Sequence, residues 1–240
     1  MKKFFYWLRK TIPEILFPKK CLNCNKEGSY LCEDCFSLIE ISENQFCPFC
    51  YPPKIVANGR TCPSCQKTKK LNGLYSATIY QDRLVKRLIN RFKYSPYVKE
   101  LAEVLSLLII THIQLLNKTP NDFKNFLLIP IPLNKRKIRK RGFNQSMLLA
   151  REMSKFLKID ILDNVLIKTR QTQDQVGLDN AERNKNVKNA FDCQNKEAVK
   201  GKNIILIDDV FTTGATMEES ANTLKKAGAK EVWAMVIARG

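Results

Sequence analysis

The pattern of apolar positions changes character near Gly73. Between residues 19 and 72, apolar side chains stand singly or in pairs among cysteines, prolines and polar residues, and no run is long enough to build a core. From Gly73 onward, strand-like and helix-like periods alternate. Leu74 to Tyr80 predicts a strand, and Asp82 to Phe92 and Pro96 to Asn117 predict helices. Phe126 to Ile131 is a short apolar run broken by Pro130 and Pro132, as in a buried strand that opens into a loop. An amphipathic helix follows over 144–157, a short strand over 165–168 and a buried strand over 203–207. A helix over 213–227, ended by Gly228, leads into a last strand over 231–238. This alternation predicts the α/β class: a mainly parallel sheet with helices on both faces, and ligands at the carboxyl ends of its strands.

Composition and charge narrow the setting. The chain has 240 residues, 44% of them hydrophobic, and carries a formal net charge of +18. That excess selects anionic partners: nucleic acid, an anionic membrane surface or a polyphosphate ligand. The basic and aromatic segment 1–18 contains Phe4 to Leu8 in a row, too short for the core of a signal peptide and closed at once by Arg9 and Lys10. The most apolar stretch, 104–116, includes Thr111, His112 and Gln114, which excludes a membrane span there. The expected location is cytoplasmic, with peripheral contact at the inner membrane as the role open to the first segment.

Eight of the nine cysteines form four C-x2-C pairs: Cys21/Cys24, Cys32/Cys35, Cys47/Cys50 and Cys62/Cys65. In a reducing compartment such pairs are read as metal ligands before disulfides. Two C-x2-C turns make a tetrahedral sulfur cage suited to Zn²⁺, so four turns predict two structural zinc ions in a module over 19–70. Sequential pairing, first with second and third with fourth, keeps each loop short. Metal binding would supply much of the folding free energy of a segment so poor in apolar runs. The module's charge is sparse apart from Lys67, Lys69 and Lys70. Cys193 stands alone and is expected to be a small buried residue, and His112 lies in an apolar run without a catalytic role.

The densest chemistry follows the strand over 203–207. Asp208 and Asp209 leave its end, and Phe211-Thr212-Thr213-Gly214-Ala215-Thr216 leads into the next helix. Hydroxyls, a glycine and a helix N-terminus suit a phosphate, and two neighbouring carboxylates suit the hydroxyls of a ribose. No G-K-[ST] follows the glycine, which separates the loop from a Walker loop. The stretch resembles the phosphoribosyl pyrophosphate motif of type I phosphoribosyltransferases. Pro130-Ile131-Pro132-Leu133, Arg141-Gly142-Phe143-Asn144-Gln145 and Lys93-Tyr94 are similar to the ComF family, as is the spaced set from Arg170 to Phe191. With the cysteine module, the resemblance extends over about residues 20–240. It implies a type I phosphoribosyltransferase fold over 71–240, preceded by a small cysteine-rich zinc-ribbon module. It also implies Mg²⁺ with phosphoribosyl pyrophosphate, and handling of single-stranded DNA in natural transformation, with competence-machinery proteins as partners of the zinc module.

Two further segments carry expectations. Lys135, Arg136, Lys137, Arg139, Lys140 and Arg141 fall within seven residues. The resemblance places the pyrophosphate loop here, and the surplus of cations fits a nucleic-acid backbone, with Tyr94 and Phe143 as stacking rings. The segment from Arg170 through Gln175 to Arg183 is expected to be a polar lid over the site. Three functions stay open: a pentosyl transferase acting from phosphoribosyl pyrophosphate on an unnamed acceptor, a non-catalytic DNA-binding competence module, and a nucleobase salvage transferase.

Overall fold

The computed structural model describes residues 18–170 and 180–240, so segment 1–18 lies almost wholly outside the described residues. The chain divides into two compact units, one ending at Glu40 and the other running from Ile41 to Gly240. The predicted cysteine module is therefore shared between them, two pairs in each.

In the first unit, an antiparallel bridge between Lys20 and Glu27 closes the first cysteine turn, and a single helical turn, Glu33–Phe36, carries the second. Asn25, directly after Cys24, takes the left-handed backbone (φ 63°) that such turns need. Tyr51, at the matching place after Cys50, keeps a negative φ, so the third turn closes differently.

The second unit is built on four parallel strands in the order β1-β6-β5-β2: β1 (Gly73–Ile79), β2 (Phe126–Pro130), β5 (Asn203–Phe211) and β6 (Glu231–Arg239). A separate antiparallel pair joins β3 (Leu166–Lys168) to β4 (Phe191–Cys193). The helices are α1 (Arg83–Lys93), α2 (Leu101–Leu115), α3 (Lys135–Arg141), α4 (Gln145–Leu157), α5 (Asn180–Val187) and α6 (Ala215–Lys226). The central strands β5 and β6 are apolar on both faces, as a parallel sheet covered on both sides requires. Ile204, Leu206, Val232, Ala234 and Val236 pack with Met217, Ala221 and Leu224 of α6 and with Leu166 and Phe191. Their alternating neighbours Ile205, Ile207, Met235 and Ile237 are equally buried and face the side where α2 and α4 lie. The α/β fold with helices on both faces is thus the observed one.

Three boundaries and one element type differ from the sequence reading, which also did not predict α5 or β4. The long helix starts at Leu101 rather than Pro96, because Tyr97 turns aside to pack edge-on against Phe143 at 6.0 Å. Strand β5 runs past Ile207 to Phe211, held by its pairing with β6 up to Arg239. The last helix starts at Ala215, because Gly214 is left-handed (φ 76°). The basic run 135–141 is a helix, not a loop: Asn134 Oδ1 accepts from the Lys137 N–H at 2.8 Å at one end, and left-handed Gly142 closes the other. Cys193 is buried in β4, and no described helix is long and apolar enough to cross a membrane.

Candidate functional site

The carboxyl end of β5 gathers most of the expected residues. Asp208 and Asp209 follow each other at the end of the strand, where Ser146 of α4 meets the first and Lys93 of α1 the second. Asp209 is buried and paired with Lys93, whose Nζ stands 2.6 Å from Oδ1. Lys93 is the last residue of α1, anchored by buried Val85, Leu88, Ile89 and Phe92. The other oxygen of Asp209, Oδ2, is buried without a hydrogen-bond partner. Asp208 Oδ1 accepts from Ser146 Oγ at 2.8 Å and from the Asp209 N–H at 3.0 Å.

Electrostatics follow from this geometry. Burial, then the charge of Asp209, pushes the Asp208 carboxyl up to about 7, while Lys93 and the Ser146 hydroxyl pull it back. Burial also works against the Lys93 ammonium, but Asp209 and Asp208 outweigh it and hold its pKa above the usual lysine value.

Past the acids, Phe211, Thr212, Thr213 and Gly214 form the turn into α6. Gly214 at the N-cap offers no side-chain cap, and Thr213 Oγ1 accepts from the Ala215 N–H at 3.4 Å. The turn therefore presents the N-terminal end of a twelve-residue helix, together with threonine hydroxyls, to an anion. Gly214 is required twice over: by its positive φ, and because a Cβ there would strike the Phe211 ring.

The stretch 141–146 is an architectural bracket. Arg141 donates to Gln145, and Asn144 caps α4 through the Ser146 N–H while its Nδ2 donates to the Ile131 carbonyl at 3.0 Å. Ile131 N–H in turn donates to the Ile207 carbonyl, so β2, the basic helix α3 and the acid pair share one framework. Phe143 packs against Phe92 at 5.9 Å and is buried, which removes it from the stacking role expected of it. Its core position follows from the tight exit of Gly142. Tyr94 is 52% exposed and keeps that role open. On α3, Lys135, Arg136, Arg139 and Lys140 are exposed, and Lys137 and Arg141 are half-buried.

Of the expected lid, Gln175 lies outside the described residues, and Arg183 falls within helix α5. Arg170 donates to the carbonyls of Asn186 and Lys188 at 2.8 and 2.9 Å, which fastens that end of the segment to the end of α5. His112 is buried, with Nδ1 at 2.6 Å from the Ser42 carbonyl, away from the acids. Sequence reasoning missed Ser146 altogether and gave Lys93 no chemical role. Neither residue type announces its partner, because both contacts are made across the fold.

The cysteines fall into the two expected sets, Cys21/Cys24/Cys32/Cys35 and Cys47/Cys50/Cys62/Cys65, with sulfurs within 4.8 Å of one another in each. Sγ–Sγ separations of 3.5 Å (Cys24–Cys32), 3.5 Å (Cys50–Cys62) and 3.8 Å (Cys50–Cys65) fit the thiolate donors of a zinc site. A tetrahedron with Zn–S near 2.3 Å has edges of about 3.8 Å. The second set adjoins the turn into α6. The Arg239 guanidinium spans the carbonyls of Cys47 and Cys50 at 3.1 and 3.2 Å, and Phe49 meets Phe211 edge-on at 6.1 Å. For Mg²⁺, the orphaned Oδ2 of Asp209 beside Asp208 is a fitting oxygen donor set.

Comparison with known proteins agrees with this anatomy. Residues 12–66 match the Double zinc ribbon domain family, and residues 138–240 match the Phosphoribosyl transferase domain family. The chain is 32% identical over 197 residues to DNA utilization protein YhgH of Escherichia coli O157:H7, covering 81% of this chain and 85% of that protein. Competence protein ComFC of Bacillus subtilis is 30% identical over 217 residues, 85% of this chain and 81% of that protein. Competence protein F of Haemophilus influenzae is 36% identical over 113 residues, 47% of this chain and about half (49%) of its own length. The chain thus belongs to the ComF family of competence and DNA-utilization proteins, with a double zinc ribbon ahead of a phosphoribosyltransferase-fold domain.

Proposed function

We propose that this protein binds Mg²⁺–phosphoribosyl pyrophosphate at the end of β5, and that it handles single-stranded DNA beside that site during DNA uptake or use in the cytoplasm. The observation that carries the reading is the buried, unpartnered Oδ2 of Asp209, set next to Asp208 and a helix N-terminus without a side-chain cap. A buried carboxylate oxygen without a partner is costly, and a ligand hydroxyl or cation relieves it. In this reading the 5-phosphate sits on the turn Thr212–Thr216, and the ribose hydroxyls donate to Asp208 and Asp209. Mg²⁺, when bound, offsets the charge of the pyrophosphate.

The reaction this arrangement supports is pentosyl transfer. The bond from C1 to the pyrophosphate oxygen breaks with its electron pair leaving on pyrophosphate, an acceptor lone pair forms the new bond to C1, and the acceptor's proton goes to solvent. The residues supply positioning and charge: Lys93 holds Asp209 in place, Ser146 orients Asp208, and cations of α3 disperse the charge on the departing pyrophosphate. Binding without turnover is the second reading. The chain's one histidine favours it, because His112 is buried against the Ser42 carbonyl and is not hydrogen-bonded to either acid.

The test is calorimetric titration of Mg²⁺–phosphoribosyl pyrophosphate into the zinc-loaded protein, beside the Asp208→Asn/Asp209→Asn variant. Saturable binding that the double change abolishes is the expected result. A folded wild type that takes up no ligand overturns the ribose-phosphate reading and leaves a zinc-stapled DNA-handling protein. Pyrophosphate release with an added acceptor then separates transfer from binding alone.

A further inference from the structure

A second concentration of positive charge lies at the opposite end of the sheet. A cavity of about 610 Å³ opens between the strap that follows the last zinc turn and the end of α6. Five cations line it: Arg60, Lys69 and Lys70 from the strap side, and Lys225 and Lys226 from the helix. Asn72, which precedes β1, forms its floor, so the cavity sits at the amino ends of the strands. Helix α6 runs roughly 18 Å from the phosphate turn to Lys225 and Lys226, while on the strap side Lys69 Nζ lies 4.9 Å from the centroid of the Phe49 ring, which meets Phe211 of that turn.

Like charges gather here in excess of acids. Among the described residues, no carboxylate lines the cavity. Two neighbouring acids are already engaged. Glu231 pairs with Arg60 at 2.9 Å and accepts from Trp233 Nε1 at 2.8 Å. Glu218 accepts from the backbone N–H groups of Lys70 and Leu71 at 2.7 and 3.1 Å. Arg60 is also steadied over the Trp233 ring at 5.3 Å, and Lys225 Nζ donates to the Lys230 carbonyl at 2.6 Å. These fixed partners aim the cations instead of letting them splay into water. Burial, and the charge of Lys70, pull the Lys225 ammonium below the usual lysine value against the pull of Glu231, which records the crowding. An anion in the cavity relieves that repulsion, and the side-chain amide of Asn222 adds a neutral donor and acceptor beside it.

We propose that this cavity is a second anion site, distinct from the ribose-phosphate site, that takes phosphate esters from a strand of nucleic acid or from a free nucleotide. The cavity's size is that of an ordinary small-ligand pocket, and its opening to solvent lets a strand pass through as well. The proposal deepens the DNA-handling reading but stands apart from the ribose-phosphate one, whose acids lie at the other end of α6.

The experiment uses the zinc-loaded protein and two probes: a fluorescein-labelled (dT)20 followed by anisotropy, and ATP followed by calorimetry. The Lys70→Glu/Lys226→Glu variant reverses two exposed cations of the cavity. Lys124→Glu/Lys158→Glu makes the same change in net charge elsewhere on the surface. The cavity variant is expected to lose at least tenfold in affinity for one probe or both, with the control within twofold of wild type. Loss for (dT)20 alone identifies the strand as the source, loss for ATP alone identifies the free nucleotide, and loss for both identifies a general phosphate-ester site. Equal affinities of wild type and cavity variant for both probes overturn the proposal. Titration of Mg²⁺–phosphoribosyl pyrophosphate into the same cavity variant should match wild type, so failure at one site is told apart from failure at the other.

Discussion

At the scale of single residues, the acid pair behaves as one device with two settings. Asp209 is ion-paired with Lys93, while burial and the charge of Asp209 push the Asp208 carboxyl up to about 7. A ligand that presents ribose hydroxyls and a cation favours the ionised carboxylate, so binding below pH 7 displaces a proton. The sign follows directly: affinity for Mg²⁺–phosphoribosyl pyrophosphate rises with pH up to about 7, up to tenfold per unit from this group, and levels off above it. Calorimetry at pH 6.5 in buffers of different ionisation enthalpy reads the displaced proton, and about 0.8 is expected if the group titrates at 7. Asp208→Asn should remove that component. Lys93→Met should move the midpoint upward, because Lys93 is the charge that pulls Asp208 down. A proton count unchanged by either substitution would show that the titrating group is the ligand itself.

Elements are where the sequence was most legible and also where it misled. Most strands and helices of the second unit followed from apolar period, because each buries one stripe or two faces against a neighbour, whereas α5 and β4 were not read from it. The run 135–141 has no such period, so its charge read as a loop. The helix is written in other residues: Asn134 as cap, six good helix formers in seven positions, and Gly142 at the exit. The acids and the turn after them were legible as one cluster because their residues are contiguous. Ser146 and Lys93 were not, since their roles depend on α4 and α1 arriving at β5 from far away in sequence. The turn also permits a test at this scale. Gly214→Ala meets both a positive φ and the Phe211 ring, whereas Gly142→Ala meets a positive φ with open space around its Cβ. The left-handed backbone alone costs about 1–2 kcal/mol, so urea unfolding should show about that loss for Gly142→Ala and a larger one for Gly214→Ala. Phosphoribosyl pyrophosphate affinity should fall at least tenfold for Gly214→Ala. Normal affinity in that variant would mean that the turn is not the phosphate seat.

Across the whole molecule, a net charge of +18 is gathered in more than one place. Helix α3 leaves the carboxyl end of β2, on the same side of the sheet as the acid pair, while the second basic cavity opens at the amino ends of the strands. A strand of DNA held by α3 must release counterions there, at a slope of about 0.7 per phosphate contact for single strands. Neutralising three exposed cations as Lys135→Gln/Arg136→Gln/Lys140→Gln should flatten the plot of log affinity for (dT)20 against log salt by about 2. A flattening of that size, with the affinity for inorganic pyrophosphate less affected, fits a helix whose surplus charge serves a nucleic-acid backbone. An unchanged slope would confine α3 to the pyrophosphate end of the site. The cavity variant bears on the same plot, because reversing two cations removes two contacts and flattens it by about 1.4 if they touch the strand. Combining the two sets separates two arrangements. Flattening that adds, by about 3.4 in all, requires one strand to run from α3 past the last helix to the far cavity. Flattening no larger than that of the α3 set alone means that the cavity holds its anion independently of the strand.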